Sequence, residues 1–308
     1  MRSEIEVDFG VRQPDGLAID HATTLADLET LALRFDERVD AEADWLRSAR
    51  VEIVLGDVPP LAFAAAERAG IPSLALANFS WDWIYRELAR ERPEYARFAD
   101  LAARAYASAT LCLRLPFHGD LGAFPTIADV PLVAERSAAT REEAKRSYGF
   151  SLDRPAVLLS FGGFPFPESA QRRLAGLADL DVVVTAPPSR AVGGIRGVRP
   201  GREFAKLLRA VDVAVTKPGW GLFAGCLVND TRVLYADRAA FPEARVLAAA
   251  IEREGTAARV AEDDVRSGNV AAAIRELLAR PVGGSAAPSD GAAVVADHVL
   301  RRLANGSS

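Results

Sequence analysis

The sequence predicts an α/β protein built from two parallel-sheet domains, and three observations carry that prediction. Short apolar, β-rich runs alternate with long amphipathic stretches rich in Ala, Leu and Arg, which is the pattern of repeated βαβ units. The alternation breaks over 115–133, where three prolines and two glycines replace periodic apolar positions, and it restarts at Ala156. The chain has 308 residues, more than one hydrophobic core usually serves. The boundary implied is 1–135 for the first domain and 136–308 for the second.

Taken in order, residues 5–9 alternate like a strand, and 25–49 read as one long helix with Leu25, Leu28, Leu31 and Phe35 at helical spacing. A short apolar strand over 52–56 leads to a helix over 60–69. The next strand, 73–78, runs into a helix or pair of helices that opens at the N-cap candidate Ser80 and extends towards Ala109. Residues 110–114 are again strand-like. Beyond the Pro/Gly-rich gap, 140–148 form a charged connecting helix. The second series reads strand 156–160, a Gly/Pro loop, a helix to about Leu177, strand 181–185, helix 203–210, strand 213–216 and helix 222–228. Strand 232–235, helix 244–253 and a short strand near 257–260 follow. Residues 281–290 have loop composition, and 291–303 form a closing amphipathic helix.

Composition narrows the function. Half the residues are apolar and 26% are charged, which excludes wholesale disorder. A formal charge of −5 argues against nucleic acid as the main partner. No apolar run reaches the roughly 18 residues of a membrane span, and the N-terminus has no apolar core of a signal peptide, so a cytoplasmic protein is expected. Two cysteines and three scattered histidines predict no metal site. The chain also lacks GxGxxG after a first strand, the GxxxxGK[ST] loop and the GxSxG elbow, which counts against nicotinamide or flavin enzymes, P-loop NTPases and α/β-hydrolases.

Parallel sheets bind ligands beyond the carboxyl ends of their strands, so glycine-bearing loops after strands are the places to search. Gly162 and Gly163 follow strand 156–160 and allow a backbone to approach a diphosphate; equally they fit a structural turn. Lys217-Pro218-Gly219-Trp220-Gly221 follows strand 213–216, and its lysine adds a point charge suited to phosphate. Asp237 and Arg238 follow strand 232–235, as acceptor for sugar hydroxyls and partner for phosphate or as a surface ion pair. In the first half, Asp57 follows strand 52–56, and Asn78, Trp81 and Asp82 follow strand 73–78. The tryptophans suit either stacking on an acceptor or core packing.

These same runs carry a family resemblance. Gly56-Asp57-Val58-Pro59-Pro60-Leu61, Asn78-Phe79-Ser80-Trp81-Asp82-Trp83-Ile84-Tyr85, Ser160-Phe161-Gly162-Gly163, Thr216-Lys217-Pro218-Gly219-Trp220-Gly221 and Leu234-Tyr235-Ala236-Asp237-Arg238 occur in that order. Together they resemble bacterial predicted glycosyltransferases and the glycosyltransferase-like N-terminal half of L-arabinokinases. More distantly, the second half is similar to the lipid II N-acetylglucosaminyltransferase. The resemblance implies the GT-B architecture, two Rossmann-like domains with the last helix returning to the first. It also implies a metal-independent enzyme without cofactor, whose C-terminal domain holds a nucleotide-diphosphate sugar, with UDP as the expected nucleotide. The donor residues would be Gly162, Gly163, Lys217, Pro218, Gly219, Gly221, Asp237 and Arg238. Asn78, Trp81 and Asp82 would face a small-molecule or lipid-linked acceptor, and Asp57 is the candidate base. The alternative is a non-catalytic nucleotide or nucleotide-sugar binding protein.

Two departures bear on the choice. The family opens with a strand and a Gly/His-rich loop that have no counterpart here, so the N-terminal domain is expected to be incomplete, with a sheet edge near Leu55 or Ile5 left as a gap, rearranged or open to self-association. Relatives carry glutamate where this chain has Gly225, and that carboxylate is expected to hold the ribose. Without its hydrogen bonds, donor binding weakens by on the order of 1–3 kcal/mol.

Overall fold

A computed structural model describes residues 10–185, 191–199, 201, 203–238, 240–281 and 288–306. The chain divides into two compact units. One gathers residues 1–13, 19–132 and 290–308, and the other gathers 14–18 and 133–289.

Among the described residues, the first unit holds a four-stranded parallel sheet in the order β1 (Val54–Gly56), β2 (Ser73–Ala77), β3 (Leu111–Arg114), β4 (Ile127–Asp129). Helices α1 (His21–Leu33) and α2 (Phe35–Ser48) precede it. The single helix expected over 25–49 is therefore two. Arg34 leaves helical geometry at φ −113°, and Asp36 and Glu37 fall in the new first turn, where acidic side chains favour a helix start. Helix α3 (Pro60–Ala69) begins on Pro60 and ends at Gly70 in left-handed conformation, the Pro-in, Gly-out asymmetry of a short helix. Helices α4 (Trp81–Ala89) and α5 (Ala96–Tyr106) are the expected pair. Ser80 occupies the N-cap position of α4, yet its hydroxyl donates to the Asp120 carbonyl rather than capping the helix. Strand β4 lies inside the Pro/Gly-rich gap, where three residues of mixed burial leave no period to read. The strand expected over 5–9 lies outside the described residues.

The second unit begins with α6 (Arg141–Ser147), which a Thr140/Glu143 capping box starts. The six strands among its described residues are all parallel: β5 (Ala156–Ser160), β6 (Asp181–Thr185), β7 (Arg196–Val198), β8 (Val213–Thr216), β9 (Arg232–Ala236) and β10 (Ala257–Val260). Helices α7 (Glu168–Ala175), α8 (Phe204–Ala210), α9 (Trp220–Val228), α10 (Pro242–Arg253), α11 (Glu262–Ser267) and α12 (Ala271–Ala279) connect or follow them. Across the sheet the order is β10-β9-β8-β5-β6-β7, the doubly wound arrangement. Every residue of β5 and β8 is buried, which explains why both read as unbroken apolar runs. The last helix, α13 (Gly291–Gly306), groups with the first unit, where Gly291 N–H donates to the Leu132 carbonyl at 3.1 Å. A side chain at Gly291 would collide with the Pro131 carbonyl.

Candidate functional site

Two glycine loops of the second unit meet at one place. Ser160 ends β5 and Thr216 ends β8, and the two residues are register partners. From β5 the chain continues to β6 on one side, and from β8 to β9 on the other. The loops after β5 and β8 therefore flank the reversal in strand order, where open α/β sheets bind their ligands.

The local chemistry of these loops follows from their glycines. Gly162 and Gly163 both take left-handed backbone, φ 56° and 94°, a pair of conformations that side-chain-bearing residues adopt only under strain. A Cβ on Gly162 would meet only Lys217 Cε, at 3.9 Å, and one on Gly163 or Gly221 would meet nothing within 4 Å. The backbone is thus open to close approach. Pro218 is buried, and Gly219 is the extended N-cap residue of α9.

Lys217 places its ammonium 4.3 Å from the Phe164 ring centroid. Burial pushes its pKa down to about 8; the charge of Arg238 acts the same way, and Glu243 and Asp15 oppose it. Arg238 is only 7% exposed, with its guanidinium carbon 3.0 Å from the centroid of the Phe241 ring. Burial lowers the pKa of Arg238 as well, again against Glu243, Asp15 and Glu262. Two partly desolvated cations at one sheet edge are stabilised by an anion placed between them and solvent. Asp237 behaves differently. It is paired with Arg259 at 3.2 Å near the surface, so it binds a sugar hydroxyl only by sharing or leaving that pair. A cavity of about 270 Å³ opens here, lined by Pro218, Asp237, Arg238, Arg245, Glu252 and Arg259.

The sequence reading missed a third contributor to this edge, Asp15 and Gly16. Asp15 accepts from the N–H groups of Leu17 and Ala18 at 2.9 and 3.0 Å and pairs with Arg266 at 2.5 Å. Burial raises its pKa, and these hydrogen bonds together with the Arg266 charge outweigh that, holding it at about 2. Gly16, at φ 81°, lies against the site: a Cβ there would stand 3.0 Å from the Phe164 ring and 3.3 Å from Lys217 Nζ. Pro14-Asp15-Gly16 is a turn signature, but no local signal says that a turn so early in the chain joins the later sheet.

Gly225 is buried within α9, and a Cβ on it would come within 2.7 Å of Leu208 Cδ1. The space that a side chain at this position would need is thus taken by a leucine of α8.

In the first unit, the loops after β1 and β2 lie side by side, since Gly56 and Ala75 are register partners. They bring together Asp57 with Asn78, Trp81 and Asp82. One phenol ties the loops: the Tyr106 hydroxyl donates to the Val58 carbonyl at 2.8 Å and accepts from the Trp81 N–H at 3.2 Å. Val58, buried and β-branched, is held at φ 53°, a conformation that costs on the order of 1–3 kcal/mol and is over-represented at functional sites. Asp57 reaches solvent, and the surrounding protein still raises its carboxyl above the ordinary range. Asp82 is buried, its carboxyl raised by desolvation although Arg86 pairs with it at 3.1 Å. Its Oδ1 and the Trp81 indole Nε1 are buried polar atoms with no hydrogen-bond partner among the described residues. The Trp81 ring packs edge-on to Phe79 and stacks on Tyr85, so its face serves the core. Trp83 lies so close to Gly119 that a Cβ there would overlap the indole at 2.3 Å.

No family model matches this chain. Over 164 residues it is 35% identical to L-arabinokinase from Arabidopsis thaliana, a stretch that is 53% of this chain and 16% of that protein. The chain thus matches about a sixth of the length of its curated relative. Among solved structures, CalG4, the calicheamicin glycosyltransferase, is similar at TM-score 0.61 and 17% identity, covering 92% of this chain and 81% of that one. The glycosyltransferase VinC in complex with dTDP is similar at TM-score 0.57 and 16% identity, covering 97% and 84%. The two α/β parallel-sheet units expected from the sequence are therefore found, in the fold of these glycosyltransferases.

Proposed function

We propose that this chain is a metal-independent glycosyltransferase of GT-B type that takes a nucleotide-diphosphate sugar, UDP-linked in the simplest case, as donor. The observation that carries the reading is the pairing of the Gly162–Gly163 loop with Lys217 at the strand-order reversal between β5 and β8. A diphosphate there meets open glycine backbone, the Lys217 ammonium, the N-terminus of α9 and the buried Arg238 charge. These groups stabilise the negative charge that grows on the diphosphate as the sugar departs. The VinC complex with dTDP agrees in chemistry. On the other unit, the raised carboxyl of Asp57 suits a general base, and the unmatched Oδ1 of Asp82 and Nε1 of Trp81 suit acceptor hydroxyls. The acceptor is a small molecule or a lipid-linked one met in the cytoplasm; among the described residues no helix is long and apolar enough to cross a membrane.

Titration calorimetry with UDP and dTDP tests the donor site. Lys217→Ala removes a charge-assisted hydrogen bond to the diphosphate and should weaken nucleoside diphosphate binding by about 10-fold or more. Equal affinity in wild type and variant removes the proposal. The second reading, a nucleotide or nucleotide-sugar binding protein without turnover, is favoured by one observation, the closure of position 225 by Leu208. Binding of UDP-sugars with neither transfer nor hydrolysis, in a protein whose Asp57→Asn variant binds identically, would select it.

A further inference from the structure

We propose that Asp15 is a positioning residue for Lys217: anchored by Arg266, it fixes the Gly16 turn against the lysine and so holds the ammonium over the Phe164 ring, facing the site of the diphosphate. The inference rests on the donor reading above, and it concerns a segment that neither the glycine loops nor the family motifs include.

The geometry runs from clamp to ammonium. Asp15 uses one carboxylate oxygen to accept from Leu17 and Ala18 N–H, which closes the turn around Gly16. It uses the other to accept from Arg266 Nη2, the nitrogen that Glu262 also holds at 2.6 Å. The turn is therefore fixed from both ends. Leu17, 3% exposed, is sunk in the same hydrophobic cluster as Phe161 and Phe166, which anchors the turn to the base of the β5 loop. Gly16 sits where a side chain cannot. Its φ of 81° is left-handed, and a Cβ would press on both Phe164 and Lys217 Nζ. Lysine carries four rotatable bonds, so an ammonium held between a ring and a fixed turn loses the freedom it would otherwise surrender on binding.

The arrangement is also electrostatic. The charged groups that act on Lys217 are Asp15, Glu243 and Arg238, and Arg266 and Glu262 complete the chain behind Asp15. Glu243 first, and Asp15 after it, keep Lys217 protonated against burial and Arg238. Neutralising Asp15 removes its share of that support and leaves Arg266 to Glu262 without its second carboxylate partner, so Lys217 loses its proton more readily. Neutralising Arg266 instead unmasks Asp15, so Lys217 holds its proton more tightly. General loosening of the site would hydrate Lys217 and move it up towards 10.5 in both variants.

The test is the titration of Lys217 in the ligand-free full chain, followed by pH-dependent acylation and mass spectrometry, for wild type, Asp15→Asn and Arg266→Gln. Asparagine can still accept from Leu17 and Ala18, so the turn itself is retained. The expected result is a midpoint below about 8 in Asp15→Asn and above it in Arg266→Gln. UDP affinity at pH 8 should fall several-fold in Asp15→Asn. A Lys217 midpoint that is unchanged or raised in Asp15→Asn overturns the proposal, whatever UDP does. Absence of UDP binding to wild type would instead overturn the donor reading, and the opposed shifts would still decide the role of Asp15. Gly16→Ala guards against a misfolded first variant: it keeps every charge and should weaken UDP with Asp15 intact, and unaltered affinity there counts against the turn.

Discussion

At the scale of single residues, the site is expensive to fold and that expense has a pH signature. Lys217 has its pKa lowered to about 8 in the folded chain, against 10.5 for an ordinary lysine. The unfolded chain therefore binds the proton more tightly between those values, and stability rises with pH from about 8 to 10.5. Lys217→Met should stabilise the ligand-free protein by on the order of 1 kcal/mol at pH 7, a gain that fades above pH 8, as chemical denaturation across that range will show. Asp15 works in the opposite sense. Its lowered pKa contributes stability above about pH 4 that disappears as pH falls to about 2. Tyr106 is fully buried and ties the loops of Val58 and Trp81, so Tyr106→Phe should cost about 1–3 kcal/mol by stranding a carbonyl and an N–H, measured as a lowered denaturation midpoint. The motif residues Lys217, Gly162 and Gly163 were legible because backbone freedom and charge are written in residue type. Asp15, Gly16 and Tyr106 were not, because each acts on partners tens to hundreds of residues away and carries no local mark of it.

At the scale of elements, legibility followed burial. Strands β5, β6 and β8 were read to the residue because apolar runs bounded by polar residues have only one reading in an α/β context. Strands β4 and β7 escaped, being three residues long at sheet margins with mixed burial. The division of residues 21–48 at Arg34 escaped for another reason. Helical spacing continues through the break, and only Leu33, 77% exposed, departs from it. Strand β1 tests the edge argument. Among the described residues it is three residues long, lies at the margin of its sheet and leaves Leu55 half exposed, whereas β5 is central and wholly buried. Amides of β1 should exchange at least about 10-fold faster than those of β5 in hydrogen-exchange mass spectrometry. Equal protection would mean that another strand, from this chain or a second copy, covers the edge. Helix α9 gives a second test at this scale. Gly225→Ala adds about 1 kcal/mol of helix propensity but drives a methyl against Leu208, and overpacking of about 1–3 kcal/mol should win, lowering the melting temperature.

At the scale of the whole molecule, each sheet is served by its own apolar clusters. Leu17, Val157, Leu159, Val213 and Leu234 belong to a cluster of the second unit, whereas Leu28, Phe35, Tyr85 and Phe98 belong to one cluster of the first, and Phe63, Ala75 and Cys112 to another. The sequence announced this division through its gap and restart, and the family resemblance implied the return of the last helix, but nothing in it marked residues 14–18 as part of the second unit. A ligand on the β5–β8 edge binds groups of the second unit, so linkage stabilises that unit first. At UDP about one hundred times its dissociation constant the gain is about 2.7 kcal/mol, equivalent to roughly 100-fold slower opening. Exchange of Leu158–Ser160 and Ala214–Thr216 amides should slow by about that factor, while Leu74–Ala77 and Cys112–Leu113 keep their ligand-free rates. Slowing of all four strands together would show that both sheets open in one cooperative step. Slowing of the first unit alone would place the nucleotide there and overturn the assignment of donor and acceptor sides.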